Sequence, residues 1–290
     1  MRGQSTFPTS EEWLLDIGGG VRVNVRQDGV PHGTPILLIH AFAGSLRQWD
    51  DVATQLAARH WVIRSDLLGH GASDKPVAGY SMPEMAERVA RVVSILGAGH
   101  FFAVGHSGGG GVVVALLENP ELAVRIKGAI VIGTPPNLSF VNLPALANIY
   151  SVPLLGWLMW RITPRKMLKD AMANLFAPDY ADVPDVVVDD FQRMTRHSYV
   201  QSKAQLEAFA ASRALSDRVS QSTVPLRVVF GEMDQWIPAV CTQEWQRATN
   251  ASIMLLSGIG HTPPLEDPAG VAQLIADFVK DVDESRSDIG

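Results

Sequence analysis

The stretch from His100 to Leu117 constrains this chain most. An apolar run, Phe101 to Val104, enters Gly105-His106-Ser107-Gly108-Gly109, and a second apolar run, Val112 to Leu117, leaves it. The pattern predicts a buried strand, a very sharp turn and a helix, with a serine at the apex. Flanking glycines are needed because the apex residue sits in strained backbone and neighbouring side chains would collide across the turn. Such a turn lifts the Ser107 hydroxyl clear of the carboxyl end of a sheet, above a helix N-terminus.

Further apolar runs build that sheet. Trp13 to Asp16 and Val21 to Arg26, around Gly18-Gly19-Gly20, predict an antiparallel hairpin after a polar start over residues 1–12. Pro35 to Ile39, Trp61 to Ser65, Ala129 to Ile132, Leu226 to Phe230 and Ile253 to Leu256 are short, apolar and nearly continuous. That is the composition of parallel strands covered on both faces. Between them lie helical patterns: Leu46 to Arg59, Met82 to Leu96 with Met85, Val89, Val92 and Val93 on one face, Ala239 to Arg247, and a last helix opened by Pro268. Strands alternating with helices predict an α/β, doubly wound, mostly parallel sheet.

The alternation breaks once. From Thr134 to about Thr223 the patterns are helical and divided by prolines. The predicted organisation is therefore a core domain over residues 1–134 and 223–290, with a helical cap over residues 135–222 above the carboxyl edge of the sheet. The segment Leu143 to Ile162 is the most apolar part of the cap. Pro144, Asn148, Pro153 and Arg161 interrupt it, which argues against a membrane span. Leu143, Trp157 and Trp160 are the expected apolar wall of a substrate pocket.

With 47% hydrophobic and 19% charged residues, the chain has ample material for a core, and a net charge of -6 without a basic run argues against nucleic-acid binding. The first thirty residues hold no apolar run of signal-peptide length, so a cytoplasmic location is expected. The single cysteine, Cys241, cannot form an internal disulfide and is expected as a packed thiol. No histidine–carboxylate cluster has metal-ligand spacing, and no Gly-x-Gly-x-x-Gly opens the first strand–helix unit, so neither a metal nor a cofactor is expected.

Ser107, Asp234 and His261 each follow a predicted strand, at the edge where parallel α/β sheets carry their sites. A serine hydroxyl is a poor nucleophile at neutral pH, so an imidazole must take its proton, and a carboxylate must orient that imidazole and stabilise its cation. Attack on a carbonyl also builds an oxyanion, for which the backbone N–H groups of Gly108 and Phe42 are the candidate donors. His40, His106 and Asp66 are also near the site.

The chain resembles the α/β-hydrolase superfamily from about Glu12 to Val282, in its serine-nucleophile, cap-bearing, esterase- and lipase-like branch. His40-Ala41-Phe42 resembles the family's His-Gly-x oxyanion loop, Asp66-x-x-Gly69-x-Gly71-x-Ser73 its second loop, and Gly105 to Gly109 its nucleophile elbow. Gly231-x-x-Asp234 resembles the acid turn, and Gly260-His261 with Glu266 and Pro268 the histidine loop. The place of His40, His106 and Asp66 in these motifs implies that they are structural. The resemblance implies an eight-stranded sheet with the cap inserted after the sixth strand. Two departures stand out: Ala41 replaces a glycine, and Gly108 replaces a bulkier residue, which should widen the pocket floor. The implied activity is cleavage of a carboxylic ester, or a related lactone or thioester, of a hydrophobic small molecule. Carbon–carbon hydrolysis of a β-diketone is the alternative, although such relatives often carry Trp after the histidine, where this chain has Thr262. A low-turnover ligand receptor is a further alternative, and the oligomeric state is left open.

Overall fold

A computed structural model describes residues 9–142, 148–180, 182–249 and 251–287. Eight strands form one sheet: β1 (Thr9–Asp16), β2 (Arg22–Gly29), β3 (Thr34–Ile39), β4 (His60–Ser65), β5 (Phe101–His106), β6 (Ile126–Ile132), β7 (Leu226–Gly231) and β8 (Ser252–Leu256). Their order is β1-β2-β4-β3-β5-β6-β7-β8. β1 and β2 pair antiparallel, as do β2 and β4, and every later pairing is parallel. The hairpin is longer than its apolar residues imply. Thr9 to Glu12 pair with Arg26 to Gly29, so the expected polar start is part of an edge strand held by backbone hydrogen bonds.

The helices α1 (Asp50–Leu56), α2 (Met82–Ile95), α3 (Gly108–Glu118) and α4 (Pro120–Ala123) accompany the first six strands. Among the described residues five α-helices separate β6 from β7: α5 (Leu155–Ile162), α6 (Arg165–Met172), α7 (Asp185–Arg193), α8 (Arg196–Ser212) and α9 (Leu215–Arg218). The chain closes with α10 (Thr242–Ala248), α11 (Pro263–Glu266) and α12 (Pro268–Ser287). The α/β-hydrolase fold, with its helical insertion after the sixth strand, is therefore the fold expected from the sequence. No helix among the described residues is long and apolar enough to cross a membrane.

Central strands are buried on both faces: every residue of β5 is buried. One face carries α2 and α3, whose Met85, Val89, Val93, Val112 and Leu116 pack on the sheet. The other carries α1 and α12, through Val52, Leu56, Val271, Ile275 and Phe278, with Trp49 just before α1. A third, smaller cluster belongs to the insertion, where Tyr150, Leu168, Val188, Phe191, Met194 and Tyr199 pack together with Phe42 of the core at its edge. Ends of β3, β5, β7 and β8 thus face the underside of the insertion.

Candidate active site

Ser107 joins β5 to α3 with φ 50° and ψ −114°, in the positive-φ region that side-chain-bearing residues seldom occupy. Its N–H donates to Ile132 O at 2.8 Å, which ties the apex to β6. A Cβ at Gly105 would strike the Gly109 carbonyl, and one at Gly109 would strike the carbonyl oxygens of Ile39 and His40. Both glycines are therefore required by close backbone approach.

His261 Nδ1 lies 2.7 Å from Asp234 Oδ2, and its Nε2 lies 3.0 Å from Ser107 Oγ. A proton on Nδ1 facing the carboxylate leaves Nε2 as the acceptor for the serine O–H. Asp234 Oδ1 accepts from the N–H groups of Trp236 and Ile237 at 2.9 and 2.8 Å, so both carboxylate oxygens are engaged and its side chain is fully buried. The Trp236 ring stacks against His261 at 5.9 Å. His261 N–H donates to Leu175 O of the insertion at 2.8 Å. The Glu266 carboxylate accepts from Gly260 N, Ala177 N and Thr262 N, which binds the histidine loop to the insertion as well.

Opposite the elbow, Gly108 meets the loop after β3. A Cβ there would lie 3.0 Å from both Phe42 N and Phe42 Cβ. The missing side chain therefore admits the Phe42 backbone against the elbow, and Gly108 itself lines the cavity. Ala41 needs no glycine either, because the left-handed residue of this loop is Ala43, at φ 61°. Ala41 N donates to Gln48 Oε1 at 2.9 Å, and Gln48 Nε2 contacts His106 Nδ1. His106 Nε2 then donates to the carbonyl of His261 at 2.6 Å. Burial, with the neighbouring His261 adding to it, pushes the His106 imidazole down to about 3, so it is neutral at physiological pH.

Ser107 and His261 open onto a cavity of about 220 Å³. Its wall is largely apolar and mostly supplied by the insertion, including Leu168, Met172, Val187, Phe191 and Leu206. Asp190, Lys203 and Glu207 also line it. Among the described residues no group of three His, Cys, Asp or Glu is arranged to hold a metal ion.

Residues 36–274 match the model of the alpha/beta hydrolase family. The chain belongs to the alpha/beta hydrolase family. It is 25% identical over 285 residues to 2-hydroxymuconate semialdehyde hydrolase from Pseudomonas sp. strain CF600, covering 92% of this chain and 93% of that one. An enol-lactonase structure from Burkholderia xenovorans LB400 superposes with a TM-score of 0.77 at 22% identity, over 91% of this chain and 99% of the other. A haloalkane dehalogenase structure from Bradyrhizobium elkanii gives 0.78 at 14% identity, over 97% and 100%. These two likenesses show the fold.

In this alpha/beta hydrolase, Ser107, Asp234 and His261 come together, with Phe42 and Gly108 beside them. The expected pocket wall does not. Trp157 is 49% exposed and lies under the Arg161 guanidinium, outside the cavity lining. Trp160 packs on Phe191 and Tyr199, one layer behind the wall. Leu143 falls outside the described residues. His40 accepts from Leu67 N, and Asp66 accepts from Leu46 N and Ala72 N, so both brace loops. Cys241 is buried, and desolvation pushes its thiol up to about 12. Four residues of the site have no sequence signal: Gln48, Asp190, Lys203 and Trp236 sit in helices or loops whose pattern carries no trace of a partner far along the chain.

Proposed function

We propose that this alpha/beta hydrolase cleaves a carboxylic ester, or a related lactone or thioester, of a hydrophobic small molecule through an acyl-enzyme. The observation that carries the reading is the continuous hydrogen-bond chain Ser107–His261–Asp234 at the floor of an apolar cavity. Ser107 Oγ attacks the carbonyl while His261 Nε2 takes its proton, and Asp234 holds the Nδ1 proton and stabilises the imidazolium. Backbone N–H groups of Phe42 and Gly108 receive the oxyanion. His261 returns the proton to the departing alcohol, and water attacks the acyl-enzyme by the reverse assistance. Residues 135–222 act as a cap that excludes water and shapes the acyl pocket. The cap's tie to His261 through Leu175 and Glu266 supports that role.

Carbon–carbon cleavage of a β-diketone is the second reading, favoured by the likeness to 2-hydroxymuconate semialdehyde hydrolase over nearly all of both chains. A panel of p-nitrophenyl esters, lactones, thioesters and β-diketones tests the two. Ester, lactone or thioester turnover that a fluorophosphonate abolishes supports the first. Turnover of the diketone alone replaces it with the second, and binding without turnover of any compound makes the chain a receptor.

A further inference from the structure

The cavity holds a cation that the reaction does not use. Lys203 lies on α8, its side chain 9% exposed, and its ammonium pairs with Glu207, whose side chain is 42% exposed. An ammonium has three N–H donors. Glu207 takes one, and no other described residue accepts from Lys203. Donors in a cavity wall that no protein group meets are free to bond water or an acceptor on a ligand.

The location fits a ligand bound to Ser107. Tyr199, Lys203, Leu206 and Ala210 follow one another on the cavity face of α8. One turn before Lys203, the Tyr199 ring lies 5.0 Å from that of Phe42. One turn after it, Leu206 lies over Gly111 in the first turn of α3. Lys203 therefore lies on the cavity wall between the residue that meets Phe42 and the one that meets the first turn of α3.

Charge selects the acceptor. Glu207 already neutralises Lys203. The other acidic group in the wall, Asp190, is neutralised by Arg47 at 2.6 Å and accepts from Ser45 Oγ at 2.7 Å. Among the described residues two donors remain, but no net positive charge. A ligand carboxylate would put a second anion on one ammonium, whereas a neutral carbonyl oxygen would fill the donors at no such cost.

We propose that Lys203 is a specificity residue that receives a second, neutral carbonyl oxygen of the substrate, so that the preferred acyl groups are oxo-acyl chains. This rests on the acyl-hydrolase reading for the position of the scissile carbonyl, but the test does not need turnover. In the Ser107→Ala variant, calorimetry compares methyl hexanoate with the 3-, 4- and 5-oxohexanoate methyl esters and with monomethyl adipate. At least one oxo ester should bind about 10- to 100-fold more tightly than methyl hexanoate, the usual worth of a hydrogen bond to a charged group. Monomethyl adipate should gain nothing. Lys203→Met should erase the oxo preference, and Lys203→Arg should keep part of it. Glu207→Gln, which leaves Lys203 with an uncompensated charge, should make monomethyl adipate a good ligand. Equal binding of all the esters, tighter binding of the adipate to the Glu207-containing protein, or an oxo preference that survives Lys203→Met overturns the proposal. Absence of ester turnover in the Ser107-containing protein, with the oxo preference intact, overturns only the esterase reading.

Discussion

The sheet edge and the helical insertion meet at one cavity but are built on opposite terms. At the sheet edge every reactive side chain has its partners. Both Asp234 oxygens are engaged, His261 bonds through both ring nitrogens, and the His261 carbonyl is held by His106. In the insertion α5, α6 and α7 begin without side-chain caps, at Leu154, Pro164 and Pro184, and only the longer α8 carries a capping box among these four, at Thr195. Its apolar residues are only partly covered: Leu154 is 85% exposed and Ile162 57%. Low local contact marks the regions of a protein that open first. On the proposed reading, the difference teaches that one part would fix the position of reacting atoms while the other would contribute apolar area that adapts to a ligand.

The largest effects should come from breaking the fixed side. Ser107→Ala should lower turnover by roughly 10⁴-fold or more, because the residues of such a relay act as a unit. Asp234→Asn should fold normally and cost roughly 10⁴-fold, since the imidazole is then held in the wrong tautomer. Steady-state kinetics check both. Near-normal turnover of either variant would mean that the hydrogen-bond chain is not the reaction path.

A smaller loss should follow a sub-ångström intrusion at the same edge. Gly108→Ala puts a methyl group 3.0 Å from Phe42 N and Cβ, so Phe42 must shift by a few tenths of an ångström. If Phe42 N–H is the oxyanion donor proposed above, misplacing it should cost about 10- to 100-fold in kcat, with KM little changed. A rise in KM with kcat intact would mean that Gly108 acts through the room it leaves in the cavity instead.

The pH dependence of stability should also belong to the sheet side. His106 and His70 are each pushed down to about 3, chiefly by burial, and burial lowers His40 as well. A histidine in the unfolded chain takes its proton near pH 6.5, while His106 and His70 accept theirs only near pH 3 in the native protein, and His40 below its ordinary value. Unfolding therefore takes up protons, so stability is full above pH 6.5 and falls as pH drops from there toward 3. Each pH unit of separation is worth about 1.4 kcal/mol per group. Urea midpoints between pH 7 and 4 should fall, and His106→Asn should reduce the slope. An unchanged slope would mean that another group governs acid unfolding.

Much of the sheet edge is legible in the sequence because its causes are local. Strands buried on both faces are written as continuous apolar runs, and sharp turns as glycines, so the ends of β5, β7 and β8 and their following Ser107, Asp234 and His261 can be named. Thr9 to Glu12 cannot, since an edge strand needs only backbone pairing. Asp190 is hidden for a different reason: its partner Ser45 lies 145 residues away. Trp157 and Trp160 mislead because composition marks a segment as apolar without saying which side it turns inward. That choice is made by packing of the insertion, where Tyr150, Phe191 and Tyr199 take up Trp160.

The smallest effects, and the most direct measure of the adaptable side, lie in acyl-chain length. Each added methylene that the cavity buries is worth at most about 0.8 kcal/mol, so kcat/KM should rise by up to about fourfold per carbon until the space is filled. Met172 and Val187 line that space, whereas Trp157 does not. Met172→Ala and Val187→Ala should therefore move the optimum toward longer chains by one or two carbons. Trp157→Ala should leave the optimum where it is, because its ring stands against Arg161 at the surface. Rates on a homologous series of p-nitrophenyl esters check all three variants. A shift with Trp157→Ala would mean that α5 turns inward when substrate binds, and the boundary between fixed edge and adaptable insertion would then have to include that helix. A profile that no lining substitution moves would mean that the insertion's apolar area stabilises the insertion alone and that selectivity comes from the sheet edge.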